Sequence, residues 1–238
     1  MTDIHTHILP GMDDGAVTPQ DSLSMLRMEY EQGVRSVVLT PHFYPKRESV
    51  DCFLARRDAA YERLMQAIGQ LPEAERGNIP ELHLGAEVAW QSDLLEQDDL
   101  RPLCLGRSKN MLVELPFTPW NSALIRQLYE LIACFGITPV IAHLERYLDA
   151  QSPKLVRKLL DLDIPVQISG AMFDHFWTRR KALKLLRSGR AQLVASDCHD
   201  CTDRPPNMRP AMTGVERRLG HSAEKSMRAC TACLLRAR

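Results

Sequence analysis

Strand-like runs and helical patterns alternate along the whole of this chain, and that alternation constrains the fold more than any other feature. Seven runs read as strands: Asp3 to Ile8, Val34 to Thr40, Leu82 to Val88, Met111 to Leu115, Ile137 to Ala142, Ile164 to Ser169 and Gln192 to Ser196. Helical segments lie between them. Thr18-Pro19-Gln20-Asp21 supplies an N-cap, a proline at the first helical position and an acidic first turn. Leu23, Leu26 and Tyr30 follow at helical spacing, and Gly33 ends the segment. Val50 to Leu71 carries Leu54, Tyr61, Leu64 and Ile68 on one side, and Asn121 to Phe135 is apolar up to Gly136. Ser152-Pro153 opens another helix, and Thr178 to Ser188 precedes Gly189. The alternation predicts a parallel sheet with helices outside it. At 238 residues the chain fits one large domain or two small ones, and single α/β barrels routinely reach this length.

Residues able to bind metal fall where these runs end. Period-2 geometry puts His5 and His7 on one face of the first strand with Asp3 beside them. Asp13 and Asp14 follow in a turn between Gly11 and Gly15. His42 follows the second run, and Glu87 and Glu114 sit near the ends of the third and fourth. His143 follows the fifth, and Asp197 and His199 follow the seventh. The sixth, ending at Ser169-Gly170, contributes nothing obvious. Parallel barrels assemble their sites where the C-terminal ends of the strands converge. Scattered solvated histidines would have no reason to choose those positions.

Five imidazoles (His5, His7, His42, His143, His199) and four carboxylates (Asp14, Glu87, Glu114, Asp197) exceed the roughly four to six ligands of one ion. The set predicts two or three divalent ions, and its mixed nitrogen and oxygen donors suit Mn²⁺, Zn²⁺ or Fe. Neighbouring cations lower the pKa of water and stabilise both oxygens of an in-line displacement, which is equipment for hydrolysing a phosphate ester. Arg146 and Arg204, shortly after the fifth- and seventh-run ligands, offer guanidinium forks that suit a phosphoryl group.

Bulk composition argues against other classes. The formal net charge is zero, so nothing points to nucleic acid or a membrane through overall electrostatics. No run approaches a transmembrane helix and no signal peptide is visible; seven cysteines do not resemble a secreted disulfide framework, so a cytoplasmic setting is expected. Cys198-x₂-Cys201 and Cys230-x₂-Cys233 are too far apart for a usual zinc ribbon. The Cys-x₅-Arg interval from Cys198 to Arg204 has no glycine to build a phosphate-cradling loop. His83, His175 and His221 fall outside the ligand positions. Trp90, Phe117 and Trp120 follow the third and fourth runs, where an aromatic face could contact a phenyl ring.

Five segments together carry a family resemblance: Asp3 to Gly15, Thr40-Pro41-His42, Gly85-Ala86-Glu87, Ile141 to Tyr147, and Ser196-Asp197-Cys198-His199 with Arg204-Pro205-Pro206. They resemble the polymerase-and-histidinol-phosphatase (PHP) superfamily, and within it the bacterial protein-tyrosine phosphatases of capsular and extracellular polysaccharide synthesis. The match runs in order from residue 1 to about residue 212. It implies one PHP-type domain over residues 1–238, folded as a distorted (β/α)₇ TIM-like barrel with its metal site at the C-terminal ends of the strands. It also implies a trinuclear centre, with Mn²⁺ as the usual metal, that dephosphorylates a tyrosine autokinase. His5, His7, Glu87 and Asp197 would hold one metal, and Glu87 would bridge to a second held with Glu114 and His143. Asp14, His42 and His199 would contribute to the third, with His199 counted among the catalytic residues, and Arg146 and Arg204 would bind the phosphate. Segment 221–238 departs from the family's ending: it lacks an Asn-Pro turn and gathers basic residues and two cysteines. A small-molecule phosphoesterase such as a histidinol-phosphate phosphatase, and a weakly active kinase-binding regulator, are the competing expectations.

Overall fold

All seven expected runs form strands, most of them shorter, and the third breaks into two pieces. The computed structural model describes residues 1–236, so Ala237 and Arg238 at the end of the atypical tail lie outside the described residues. The strands are β1 (Thr2–Thr6), β2 (Ser36–Leu39), β3 (His42–Phe43), β4 (Glu81–Leu84), β5 (Glu87–Ala89), β6 (Asn110–Glu114), β7 (Thr138–Ile141), β8 (Gln167–Ser169) and β9 (Leu193–Ala195). The helices are α1 (Pro19–Glu31), α2 (Val50–Gly69), α3 (Glu73–Arg76), α4 (Ser122–Phe135), α5 (Pro153–Leu160), α6 (Phe176–Arg187), α7 (Met208–Leu219) and α8 (His221–Leu234). The expected cap of α1 forms, as a reciprocal capping box of Thr18 and Asp21; Asn121, expected inside α4, caps it instead, and α4 ends on left-handed Gly136 as expected.

Every ladder is parallel, in three sheets ordered β1-β2-β4, β3-β5-β6-β7 and β8-β9. The third expected run splits into β4 and β5 at Gly85-Ala86, where a Cβ on Gly85 would lie only 3.1 Å from Val38 Cγ1. Isolated bridges, Thr6 to Cys198 and Ile141 to Val166, touch across the gaps between sheets. The fold is therefore mixed α/β with parallel sheets. The expected (β/α)₇ barrel is not closed by continuous ladders among the described residues, because short strands and interruptions such as Gly85-Ala86 break the pairing.

One interruption shapes the N-terminal motif. Asp3 pairs with Val37 and Thr6 with Leu39, so three residue steps on β1 face two on β2. This is the signature of a bulge, and it shifts the alternation between Asp3 and His5. Ile4 joins a small buried cluster with Val38, Leu112, Val140 and Leu193. Asp3 is buried elsewhere, accepting from Ser196 N and facing Glu29 on α1. The expectation that Asp3 stands beside His5 and His7 is corrected by this bulge.

The larger core packs the helices against the outer faces of the strands. The smaller one, lined by Ile4, Val38, Leu105, Leu112, Val140, Ala142, Leu193 and Ala195, is joined by Leu234 from α8. Asn110 Nδ2 donates to Leu234 O at 2.8 Å and ties the end of α8 to the start of β6. The departing tail is thus an ordered helix whose apolar residues complete a core. Among the described residues no helix is long and apolar enough to cross a membrane.

Candidate metal centre

The strands deliver the ligands by register. His42 is the ladder partner of Glu87, and Glu87 is the partner of Leu112, two residues before Glu114. Partners and alternate residues share a face, so His42, Glu87 and Glu114 project together. His5 lies in β1, with His7 just beyond it. His143 and Asp197, which follow β7 and β9, both have positive φ (32° and 56°). Such backbone is uncommon for residues other than glycine and concentrates at functional sites.

Glu87 is the hub. Its Oε2 lies 3.2 Å from His5 Nε2, 3.3 Å from His7 Nε2 and 3.0 Å from His42 Nδ1, and its Oε1 lies 2.9 Å from His143 Nε2. Glu114 approaches His143 Nε2 at 3.5 Å. Asp197 Oδ1 lies 3.4 Å from His5 Nε2 and 3.6 Å from His7 Nε2. Asp14 Oδ1 spans His42 Nε2 and His199 Nε2 at 3.6 and 3.5 Å. All nine expected ligands are brought together. Most are buried, whereas the Asp14 side chain is 66% exposed at the edge.

Donor atoms within 4.8 Å of one another form three overlapping groups: His7, Asp14, His42 and His199; His5, His7 and Glu87; and His42, Glu87 and Glu114. The first adds His7 to the expected third-metal set, and the last holds His42 where His143 was expected. The donor chemistry fits divalent cations. His5 Nε2 and His7 Nε2 point at each other across 3.2 Å, and buried His143 Nδ1 has no hydrogen-bond partner. Packed nitrogen and carboxylate donors of this kind are the chemistry that holds divalent cations.

The same crowding sets the protonation balance. Burial would raise the Glu87 carboxyl, but His5, His143 and His42 around it hold it well below the ordinary range. Burial would lower His7, yet the Asp13 carboxylate, helped by Glu87, raises it to about 10. His143 is raised to about 9, with Glu114 and Glu87 overcoming burial. His199 is lowered to about 4 by burial and by His7 and Arg204 nearby, which favours the neutral imidazole that ligates metal. Because a ligating imidazole is neutral, His7 and His143 would have to give up their protons to hold a metal ion.

Arg146 and Arg204 both reach the centre and meet at Asp197. Arg146 Nη2 lies 2.5 Å from Asp197 Oδ2, and Arg204 Nη2 lies 2.9 Å from Oδ1. Both side chains are partly exposed, and each guanidinium has five N–H donors, more than Asp197 uses. The expected aromatic wall resolves to one residue. Trp90 and Trp120 are 5% and 8% exposed and pack inside, whereas Phe117 is 54% exposed. The Phe117 ring lies nearly parallel to that of His143 at 6.3 Å.

Two supporting residues were not anticipated in these roles. Asp13 Oδ2 lies 2.7 Å from His7 Nδ1 and accepts from His42 N, so Asp13 orients a ligand while its neighbour Asp14 offers one. Its loop closes tightly: a Cβ on Gly15 would sit 2.0 Å from His7 O. Gln167 on β8 accepts from His143 N at 2.7 Å and lies 3.3 Å from His5 Nδ1. The strand that seemed to contribute nothing thus holds two ligands in place, the outer support that metal-binding imidazoles need. A buried glutamine within the otherwise apolar run before Ser169 was the available signal. His83 bonds Ser36 Oγ on the β2–β4 ladder, and exposed His221 pairs with Glu216. All seven cysteines are free thiols.

Comparison with known proteins agrees with this geometry. The family described as "Capsular polysaccharide synthesis, CpsB/CapC" matches residues 1–234. The tyrosine-protein phosphatase YwqE of Bacillus subtilis (strain 168) is 33% identical over 231 residues, covering 92% of this chain and 85% of that protein. The tyrosine-protein phosphatase CpsB of Streptococcus agalactiae serotype III (strain NEM316) is 30% identical, covering 92% of this chain and 91% of that protein. Among solved structures, a chain from the work on YwqE from Bacillus subtilis and CpsB from Streptococcus pneumoniae, described as unique metal-dependent tyrosine phosphatases, superposes with a TM-score of 0.83. That match has 26% identity and covers 99% of this chain and 94% of the other.

Proposed function

Because the chain belongs to the CpsB/CapC family of capsular polysaccharide synthesis, we propose that it hydrolyses phosphotyrosine in proteins at a centre of two to three divalent metal ions. The proposed substrate is a bacterial tyrosine kinase that controls polysaccharide synthesis. The observation that carries this reading is the convergence of nine nitrogen and oxygen ligands, two arginines and one exposed aromatic ring on a single site. The three sheets and their bridging contacts support reading residues 1–238 as one PHP-type domain, a distorted and interrupted (β/α)₇ barrel. Seven free thiols suit a reducing cytoplasm.

His5, His7, Glu87 and Asp197 would hold one ion, Glu114 and His143 with Glu87 a second, and Asp14, His42 and His199 a third, with Mn²⁺ the metal proposed and Fe or Zn the alternatives. When bound, such ions supply Lewis acidity toward phosphoryl oxygens and lower the pKa of water. Asp13 and Gln167 fix the His7 and His5 rings so that their ligating nitrogens stay aimed inward. Arg146 and Arg204 bind the phosphoryl oxygens and stabilise charge that develops there during transfer. Phe117 gives the substrate's phenyl ring a face to pack against, so that the ring's bulk favours aryl over alkyl esters. Phenolate also leaves more readily than alkoxide, which favours phosphotyrosine over phosphoserine.

Steady-state kinetics on paired phosphotyrosyl and phosphoseryl peptides and on histidinol phosphate test the proposal. Wild type should favour the phosphotyrosyl peptide. Arg146→Ala and Arg204→Ala should each cost about 2–4 kcal/mol, roughly 30- to 1000-fold in kcat/KM, with metal content unchanged. A preference for histidinol phosphate would replace the protein-phosphatase reading with a small-molecule one. Near-wild-type rates in both variants would remove the phosphate-clamp role.

A further inference from the structure

The chain's net charge is zero, yet its cations are unevenly placed. Helix α6 reads Phe-Trp-Thr-Arg-Arg-Lys-Ala-Leu-Lys-Leu-Leu-Arg and contains no acidic residue. Between α6 and the end of α7 lies an open groove of about 290 Å³, lined by Phe176, Arg179, Arg180, Leu183, Arg187 and Arg218. None of those four guanidiniums forms an ion pair among the described residues, whereas Lys181 on the same helix pairs with Asp149 at 2.8 Å. At the head of α6, Phe176 and Trp177 stand edge to face with ring centres 5.2 Å apart, 57% and 75% exposed. Four like charges lining one groove repel each other, and among the described residues no carboxylate forms an ion pair with any of them. An anionic occupant would.

The position of the groove relates it to the centre. Gln167 on β8 touches the ligands, and α6 begins seven residues after Ser169, through the short 3₁₀ turn Gly170–Phe173. In strand–helix units the helix starts at the end where the strands open onto the site. The groove therefore starts at Phe176, at the strand ends that carry the centre, and runs along α6 toward Arg187 and Arg218. The cations lining it are all arginine, whose forks match carboxylates in pairs, and the surface is concave. Both features suit a bound acidic chain better than a flat lipid surface.

Resting on the phosphoprotein-phosphatase reading above, we propose that the α6–α7 groove is a docking site for an acidic segment of the protein substrate, outside the catalytic centre. Trp177, packed on Phe176 at the head of the groove, is the exposed tryptophan, so a ligand-induced change in emission reports on it while buried Trp90 and Trp120 give a constant background. Binding is tested first without catalysis, by fluorescence anisotropy of a labelled, phosphate-free peptide of five glutamates and by Trp177 emission. Wild type should bind it at low ionic strength and release it in salt, and a five-glutamine peptide should not bind. The double variant Arg180→Glu/Arg187→Glu should lose binding, and Arg180→Lys/Arg187→Lys should keep part of it. In kinetics, adding five glutamates to a phosphotyrosyl peptide should lower KM about tenfold for wild type and not for the reversed variant. Hydrolysis of p-nitrophenyl phosphate should be the same in both.

If the reversal fails to fold, Arg180→Gln/Arg187→Gln carries the same comparison. Equal peptide binding by wild type and variant overturns the docking site. So does a variant that loses only its sedimentation with phosphatidylglycerol vesicles, which would assign the patch to a membrane surface. Failure of wild type to hydrolyse p-nitrophenyl phosphate or phosphotyrosyl peptide would instead count against the phosphatase reading, and the anisotropy result would still decide the groove.

Discussion

Cys198 stands between two proposed ligands, Asp197 and His199, and turns away from both. Its thiol is fully buried and lies 3.8 Å from Glu29 Oε1, and burial first, then the neighbouring acidic groups Glu29 and Asp3, push its pKa well up. A thiol kept protonated and out of solvent is no nucleophile. Cys198→Ala should therefore retain most phosphatase activity, and His199→Ala should lose nearly all. A dead Cys198→Ala that keeps its metals would contradict the metal-based mechanism. Glu29 itself is a second test. Burial, followed by the nearby Asp3 carboxyl, raises its pKa well above the ordinary value. Folded protein thus holds a proton that unfolded chain releases above the ordinary carboxylate range. The associated stability is complete below that range and is lost as pH rises through the folded pKa. Glu29→Gln cannot ionise, so its stability relative to wild type should improve from pH 5 to pH 8, read as urea midpoints. A pH-independent difference would contradict the buried, protonated glutamate. These residues also mark how far sequence could see. His5 and His7 were legible as a pair, but a one-residue bulge sent Asp3 to Glu29's side, and no local pattern encodes a bulge. Asp14 was legible as a ligand in the sequence, but that its neighbour Asp13 supports His7 shows only in the folded loop.

Among the elements, strands were legible because apolar, β-branched runs between turn residues admit few other readings. Their breaks were not, since the split at Gly85-Ala86 depends on how closely β2 approaches. Helix α8 shows the same limit. Its sequence gathers charges and cysteines, and its stripe of Met227, Thr231 and Leu234 has meaning only beside a core left open at one end of the strands. Leu234 is buried there against Ile4, Val38 and Leu193, among others. Leu234→Ala should cost about 2–3 kcal/mol, near the lower end for buried leucines because the site lies at a chain end. Urea unfolding measures this, and metal content should not change. An unchanged midpoint would mean that α8 only lies on the surface. The basic residues of α6 stood in plain sight in the sequence, but the groove they share with Arg218 of α7 could not be read there, because the two helices meet only in the fold.

For the whole molecule, the legible quantity was the coincidence of ligand types with strand ends. Parallel topology turns positions spread from residue 5 to residue 199 into one cluster around Glu87, so the site could be read before the fold was known. Sheet closure could not, because it depends on hydrogen bonds lost at short strand ends and bulges. The central proposal is that these nine side chains hold more than one divalent ion and that phosphotyrosine hydrolysis depends on them. Elemental analysis and phosphotyrosyl-peptide turnover, measured on the same sample before chelation, after it, and after Mn²⁺ is restored, test this directly. Two to three metal equivalents per chain should be present at the start, and activity should fall with them and return with them. A metal-free protein that keeps full activity would contradict it.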